Sequence, residues 1–167
     1  DASLHDATLA LTNIASILSK LHKYDLAEEK FKEALTKCRI LAERAPDTFL
    51  PYVSSILNDL ANLHCNLYNY DLAEDEQKEA LDIRRNLATK NPDAFMSDIA
   101  YNIEKLANIH ESLLKYELAE QEYCEVISIY RKLAENNPDT FMPDVAKALG
   151  LLALLQMKIH KYDLAKQ

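Results

Sequence analysis

The side chains with the widest chemical repertoire in this sequence are its histidines and cysteines. His64 and His110 stand 46 residues apart, and His22 and His160 are related by three such steps. A metal ion needs ligands converging on one point, most simply two histidines four residues apart on one helix. Rings at equivalent places in stacked repeats lie about one helix diameter apart, roughly 10 Å, too far to share an ion. No metal or cofactor is therefore expected, and hydrogen bonds between helices are the better use for these rings. Cys38, Cys65 and Cys124 are odd in number, widely spaced and without a CxxC pair. They read as free thiols behaving as small hydrophobes. Such usage favours a reducing compartment, so a cytoplasmic location is expected. A catalytic Cys–His or Ser–His pair needs its nucleophile on a strained loop. Here Ser, Cys and His fall inside periodic segments, and no enzymatic activity is expected.

Composition narrows the field further. One glycine in 167 residues excludes a phosphate-binding loop and a dinucleotide fingerprint, each of which places several glycines in one turn. It also argues against a sandwich or barrel, with their many tight turns. The net charge of −8 argues against nucleic acid, which draws basic side chains along its phosphates. No apolar run is expected to reach the roughly 18 residues of a membrane span, and no signal-like segment is seen, so no membrane partner is expected. The chain opens on Asp1 rather than Met, as expected of a piece of a longer polypeptide. With 49% hydrophobic and 28% charged residues, an acidic, soluble, helical protein is the expectation.

The sequence repeats itself. Tyr24-Asp25-Leu26-Ala27 returns as Tyr70-Asp71-Leu72-Ala73, Tyr116-Glu117-Leu118-Ala119 and Tyr162-Asp163-Leu164-Ala165, always 46 residues on. Pro46-Asp47, Pro92-Asp93 and Pro138-Asp139 keep the same register, as do Phe49, Phe95 and Phe141. A fixed period of this length marks a repeat architecture.

Each unit reads as two amphipathic helices. Val53, Ile56, Leu57, Leu60, Ala61, Leu63, His64 and Leu67 recur at separations of three and four, which predicts a first helix over about Pro51 to Tyr68. Pro51 and Pro143 would suit a first turn, where a missing N–H costs nothing. A second helix is predicted from about Asp71 to Lys90, with Leu72, Ala73, Ala80, Leu81, Ile83, Leu87 and Ala88 inward. Acids at its start and bases at its end complement the helix dipole. The charges Asp71, Glu74, Asp75, Glu76 and Glu79 belong to its solvated face, with Lys78, Arg84 and Arg85 as helix-spaced partners. Only about three residues separate the two helices, so they must form an antiparallel hairpin. One hairpin cannot bury both its faces, whereas stacked hairpins can. The expected fold is all-α, an α-solenoid with seven full helices and the stub of an eighth. Residues 1–167 are expected to form one such domain, of three full repeats and a truncated fourth.

The unit resembles the tetratricopeptide repeat. The residues that carry the resemblance are Leu57, Leu60, Ala61, Tyr70, Ala73 and Ala80. The next unit gives Ile103, Leu106, Ala107, Tyr116, Ala119, Tyr123 and Val126, and the first gives Leu11, Ile14, Ala15, Tyr24, Ala27, Phe31 and Ala34. The long 46-residue period is similar to that of kinesin-light-chain-type and bacterial multi-repeat members. Two departures stand out. His22, Tyr68, Leu114 and His160 occupy the turn where the family often has glycine, and Gln77 replaces the usual aromatic.

The resemblance implies a superhelix whose first helices line a concave groove that holds a partner peptide or helix. On that frame the partner-binding positions are Ser16, then Ser55, Asn58, Asn62 and Asn66, then Tyr101, Glu104, Asn108 and Glu111, and finally Lys147. The set is close to neutral and rich in amides, which both donate and accept. The Lys, Arg and Asn clamp that some chaperone-binding relatives use is not reproduced, since only Asn62 and Lys147 fall near it. The expected function is a non-catalytic protein-interaction scaffold. The alternative is an architectural spacer or oligomerisation arm of a larger protein. A weak homodimer through the C-terminal end is also expected, because the last long helix is apolar and its covering helix is cut short.

Overall fold

The computed structural model describes residues 2–165, with side chains through His160. Seven helices run in order: α1 (Ala2–Lys20), α2 (Tyr24–Arg44), α3 (Pro46–Asn66), α4 (Tyr70–Ala88), α5 (Pro92–Ser112), α6 (Tyr116–Asn136) and α7 (Pro138–Ala165). The described residues contain no strand, and the all-α expectation holds.

α3 and α7 begin five residues earlier than the spacing predicts, at Pro46 and Pro138 instead of Pro51 and Pro143. A proline at N1 surrenders no hydrogen bond, and it pushes the residue before it out of the helical region. Ala45 accordingly sits at φ −142°, ψ 73° and Asn91 at φ −146°, ψ 81°. Asn137 follows at φ −136°, ψ 72°. Ala45 closes α2 and opens α3 in a single residue, as Asn137 does between α6 and α7. Pro51 and Pro143 therefore lie inside α3 and α7.

The turn within each hairpin has a different origin. His22 N–H reaches Ser19 O at 3.0 Å and Lys23 N–H reaches Leu18 O at 2.9 Å. Tyr68 and Asn69 repeat the pair on Cys65 O and His64 O, and Leu114 and Lys115 repeat it on Glu111 O and His110 O. These paired bonds are the Schellman ending, which demands a left-handed residue at its centre. His22, Tyr68 and Leu114 supply it at φ 57°, 61° and 59°. A side chain there costs about 1–2 kcal/mol relative to the ordinary helical well.

The helices pack as two compact units that part between Leu87 and Ala88. In the first, Ala15, Ala27, Phe31, Leu57, Leu60 and Ala80 belong to one buried cluster. Gln77 is buried where the other repeats place Phe31 and Tyr123. Leu72, expected inward, is instead 50% exposed. It stands in the first turn of α4, where the hairpin has only just closed. In the second unit Ala107, Ala119, Tyr123 and Leu155 form the centre, joining α5, α6 and α7.

The expected stub of an eighth helix does not form separately. α7 runs to Ala165 without the left-handed turn that His160 would have to supply. Residues 138–160 also correct the expectation about apolar runs: they are long and apolar enough to cross a membrane by length and composition. Two faces of one helix add up to that apolarity. Val145, Ala148 and Leu155 are buried in the unit, while Leu149, Leu154 and Met157 are exposed.

Because Leu114 is 62% exposed, its replacement removes strain and little packing. Leu114→Gly is expected to raise the unfolding free energy by about 0.5–1 kcal/mol, the relief of the left-handed penalty less the added freedom of the unfolded chain. Leu114→Val is expected to lower it. Urea unfolding followed by circular dichroism checks both.

Candidate functional site

On α3, Ser55, Asn62 and Asn66 fall at separations of seven and four, which places them in one stripe of the helix. Ser55 and Asn66 are exposed and Asn62 half-buried. Their side chains make no hydrogen bond to the other described residues. Asn58, the fourth member of the expected set, is buried in the unit. Ser16 is half-buried on α1. The first unit thus presents a row of short polar groups with their hydrogen-bonding capacity open.

The second unit spends the equivalent positions on itself. Lys147 Nζ on α7 donates to Glu104 Oε1 on α5 at 2.6 Å, and Lys158 donates to Glu111. Glu104 is almost wholly buried beneath its partner, and the pair gives that buried carboxylate a partner that it would be costly to lack. The Tyr123 hydroxyl, from α6, donates to Asn108 Oδ1 at 2.7 Å and lies 3.4 Å from Glu111. Burial first, and then the Glu111 charge, push that phenol well above its ordinary range, so it remains a neutral donor. Tyr101 is exposed, with Lys105 Nζ 5.1 Å from its ring centre. Tyr123 was not among the expected groove residues. Its aromatic register was visible in the sequence, but its reach to a residue of the preceding helix was not.

Behind the first unit's stripe lies a buried polar link. His64 Nδ1 donates to Glu76 Oε2 at 2.7 Å, and its Nε2 lies 3.4 Å from Glu28 Oε1. One ring from α3 thereby ties α2 to α4. Both neighbours are carboxylates that only accept when ionised, so the imidazolium suits the site better than either neutral tautomer. The Glu76 hydrogen bond, opposed by burial and aided by Glu28, raises the His64 pKa above 6.5. The Lys32 ammonium, with His64, holds Glu28 below its ordinary value. His110 Nδ1 likewise donates to Glu122 Oε2 at 2.7 Å. Histidine is thus used between helices. Among the described residues no group of three or more His, Cys, Asp or Glu is placed to hold a metal ion. The three cysteines are free; burial pushes the Cys38 thiol up to about 11, so it is not a thiolate nucleophile.

Residues 53–91 match the tetratricopeptide repeat family. Among solved structures, BtubC (BKLC) from P. vanneervenii superposes with a TM-score of 0.73 at 19% identity, over 95% of this chain and 59% of that one. The N-terminal domain of stress-induced protein-1 (STI-1) from C. elegans superposes at 0.58 with 16% identity, over 87% of this chain and 96% of that one. The first TPR of Spaghetti (RPAP3), solved bound to the HSP90 peptide SRMEEVD, does so at 0.54 with 18% identity, over 89% and 94%. This chain therefore spans 59% of the length of BtubC. No curated protein matches the sequence significantly. The repeats are tetratricopeptide-like in sequence and in fold.

The His64 link makes stability depend on pH in a defined direction. A raised folded pKa contributes stability that is complete below the unfolded value near 6.5 and is lost as pH rises through the folded pKa. The depressed Glu28 carboxyl adds stability above about 4.5 that is lost as pH falls through its folded pKa. The urea midpoint is expected to be highest between these limits and to decline as pH rises above about 6.5. His64→Gln should remove a large part of that decline.

Proposed function

We propose that this chain is a non-catalytic protein-interaction module that holds an extended partner peptide along the α1 and α3 face of its first unit. The observation that carries this reading is the stripe Ser55, Asn62 and Asn66, exposed or half-exposed and uncommitted to any other described side chain. Amides spaced along a helix can both donate to and accept from the backbone of a peptide laid against them. The fold is the one in which Spaghetti (RPAP3) was solved with a bound peptide, which supports the reading by analogy. In the second unit the pairs Lys147–Glu104 and Lys158–Glu111 neutralise one another, so that face offers a partner little net charge. A net charge of −8 and an amide-lined face do not suit nucleic acid.

The test is capture of partners from a native lysate, quantified for the wild type, for Asn62→Ala with Asn66→Ala, and for Lys78→Ala on the exposed outer face of α4. The amide pair is expected to reduce capture of a specific partner about tenfold or more while Lys78→Ala leaves it unchanged. Equal capture by all three would favour the architectural role instead. Raising salt from low to physiological strength should change the affinity by less than about threefold, because few unpaired charges face the partner.

A further inference from the structure

In the first unit α4 lies across two helices at once. Arg39 Nη2 on α2 donates to Glu79 Oε1 at 2.6 Å, while His64 on α3 reaches Glu76. Beneath α4, Leu35, Leu57 and Leu60 are buried, and the inward residues Ala73, Ala80 and Leu81 of α4 are buried in turn. Two repeats further on, the same floor is built again. Arg131 stands in the register of Arg39, Ile127 in that of Leu35, Leu149 in that of Leu57 and Leu152 in that of Leu60. Between α6 and α7 these residues line a cleft of about 600 Å³. No helix of the described residues lies across it. Leu149 is 42% exposed where Leu57 is 1% exposed, and Ala153 is exposed where Ala61 is wholly buried.

We propose that this cleft is a docking site for an acidic amphipathic helix of a partner chain. That helix would carry small and aliphatic residues inward and a carboxylate in the register of Glu79, placed to pair with Arg131. Charge favours an acidic occupant, because Arg131 and Lys132 outweigh Glu135, the one acid among the described residues that line the cleft. Arg131 repeats the basic residue that grips α4 in the first unit, and Lys132 adds a second base where that unit has Ile40. Shape agrees with charge, since the same floor in the first unit accepts a helix that crosses on Ala73 and Ala80. Among the described residues a second copy of this chain offers no spare helix of the required chemistry. The inward faces of α2, α4 and α6 are all buried within their own units, through Ala27 and Phe31, Ala73 and Ala80, and Ala119 and Tyr123. The segment opening at Tyr162, which repeats the start of α4 in sequence, is taken up as the last turn of α7.

This cleft lies on a different surface from the peptide face proposed above, and its test is independent. The probe is a fluorescein-labelled peptide of residues 70–88, held helical by a lactam between Lys78 and Asp82, which are both exposed on α4. Titrated with the full chain, it is expected to bind with a dissociation constant of about tens of micromolar. Arg131→Glu and Leu149→Lys, both at exposed positions, are each expected to weaken it by about tenfold or more, with the helical spectrum of the protein unchanged. Pairing Arg131→Glu with a peptide carrying Glu79→Arg should restore the affinity. Three results would overturn the proposal. One is affinity for Arg131→Glu within twofold of the wild type. Another is no saturation by the lactam-held peptide at millimolar protein. The third is a homodimer in light scattering that the peptide does not displace, which would make a second copy the occupant.

Discussion

Ala15 on α1 and Ala27 on α2 share one buried cluster, and neither methyl group is reached by solvent. Ala107 and Ala119 share the cluster of the second unit, and Ala61 and Ala73 are equally buried at the same register. With a single methyl on each side, two helices can approach at the short end of the usual 8–10 Å. That approach leaves room for only a three-residue connection, which must reverse the chain abruptly. The left-handed residues at His22, Tyr68 and Leu114 follow from it. So does the placing of the larger side chains, which are driven to flank the alanine contact and there form the core with Leu57, Leu60 and Phe31. Ala153 keeps the register but is exposed among the described residues, which marks where the pattern stops being satisfied there.

Much of this was legible in the sequence, because a helix hairpin is specified by spacings that lie within 46 residues. The helix count, the hairpin pairing and the alanine register all rest on periodicity, which survives without coordinates. The helix starts were harder to read. Pro46 and Pro51 each satisfy the rule for a first-turn proline, and nothing local says which one begins the helix. The decision falls on Ala45, whose extended conformation already ends α2 and so leaves no residues over for a loop. Leu72 fits an inward period as well as Ala73 does, but at the start of α4 the facing helix has not yet come alongside.

The candidate site was legible only as a set of positions. Ser55, Asn62 and Asn66 share a stripe as helix geometry requires. Their difference from Glu104, Asn108 and Glu111 could not be read from any one helix. It arises from partners supplied by others: Lys147 and Lys158 from α7, and Tyr123 from α6. A usable signal did exist, since acid and base of opposite sign stand close to one repeat apart on neighbouring first helices. The His64 link is a similar case, because its two carboxylates come from the second helices of two different repeats.

Ala45 and Asn137 each join two helices with one residue and no slack. A longer loop stretches under load before the packing feels it, whereas these joints pass tension straight into the helix contacts on either side. Elongation of such a chain must then come in discrete releases, a hairpin at a time, rather than by gradual creep. Freeing one period of 46 residues pays out about 160 Å of contour, at about 3.5 Å per residue, less the span that it had when folded. The length of each such release is thus written in the same register that places the alanines.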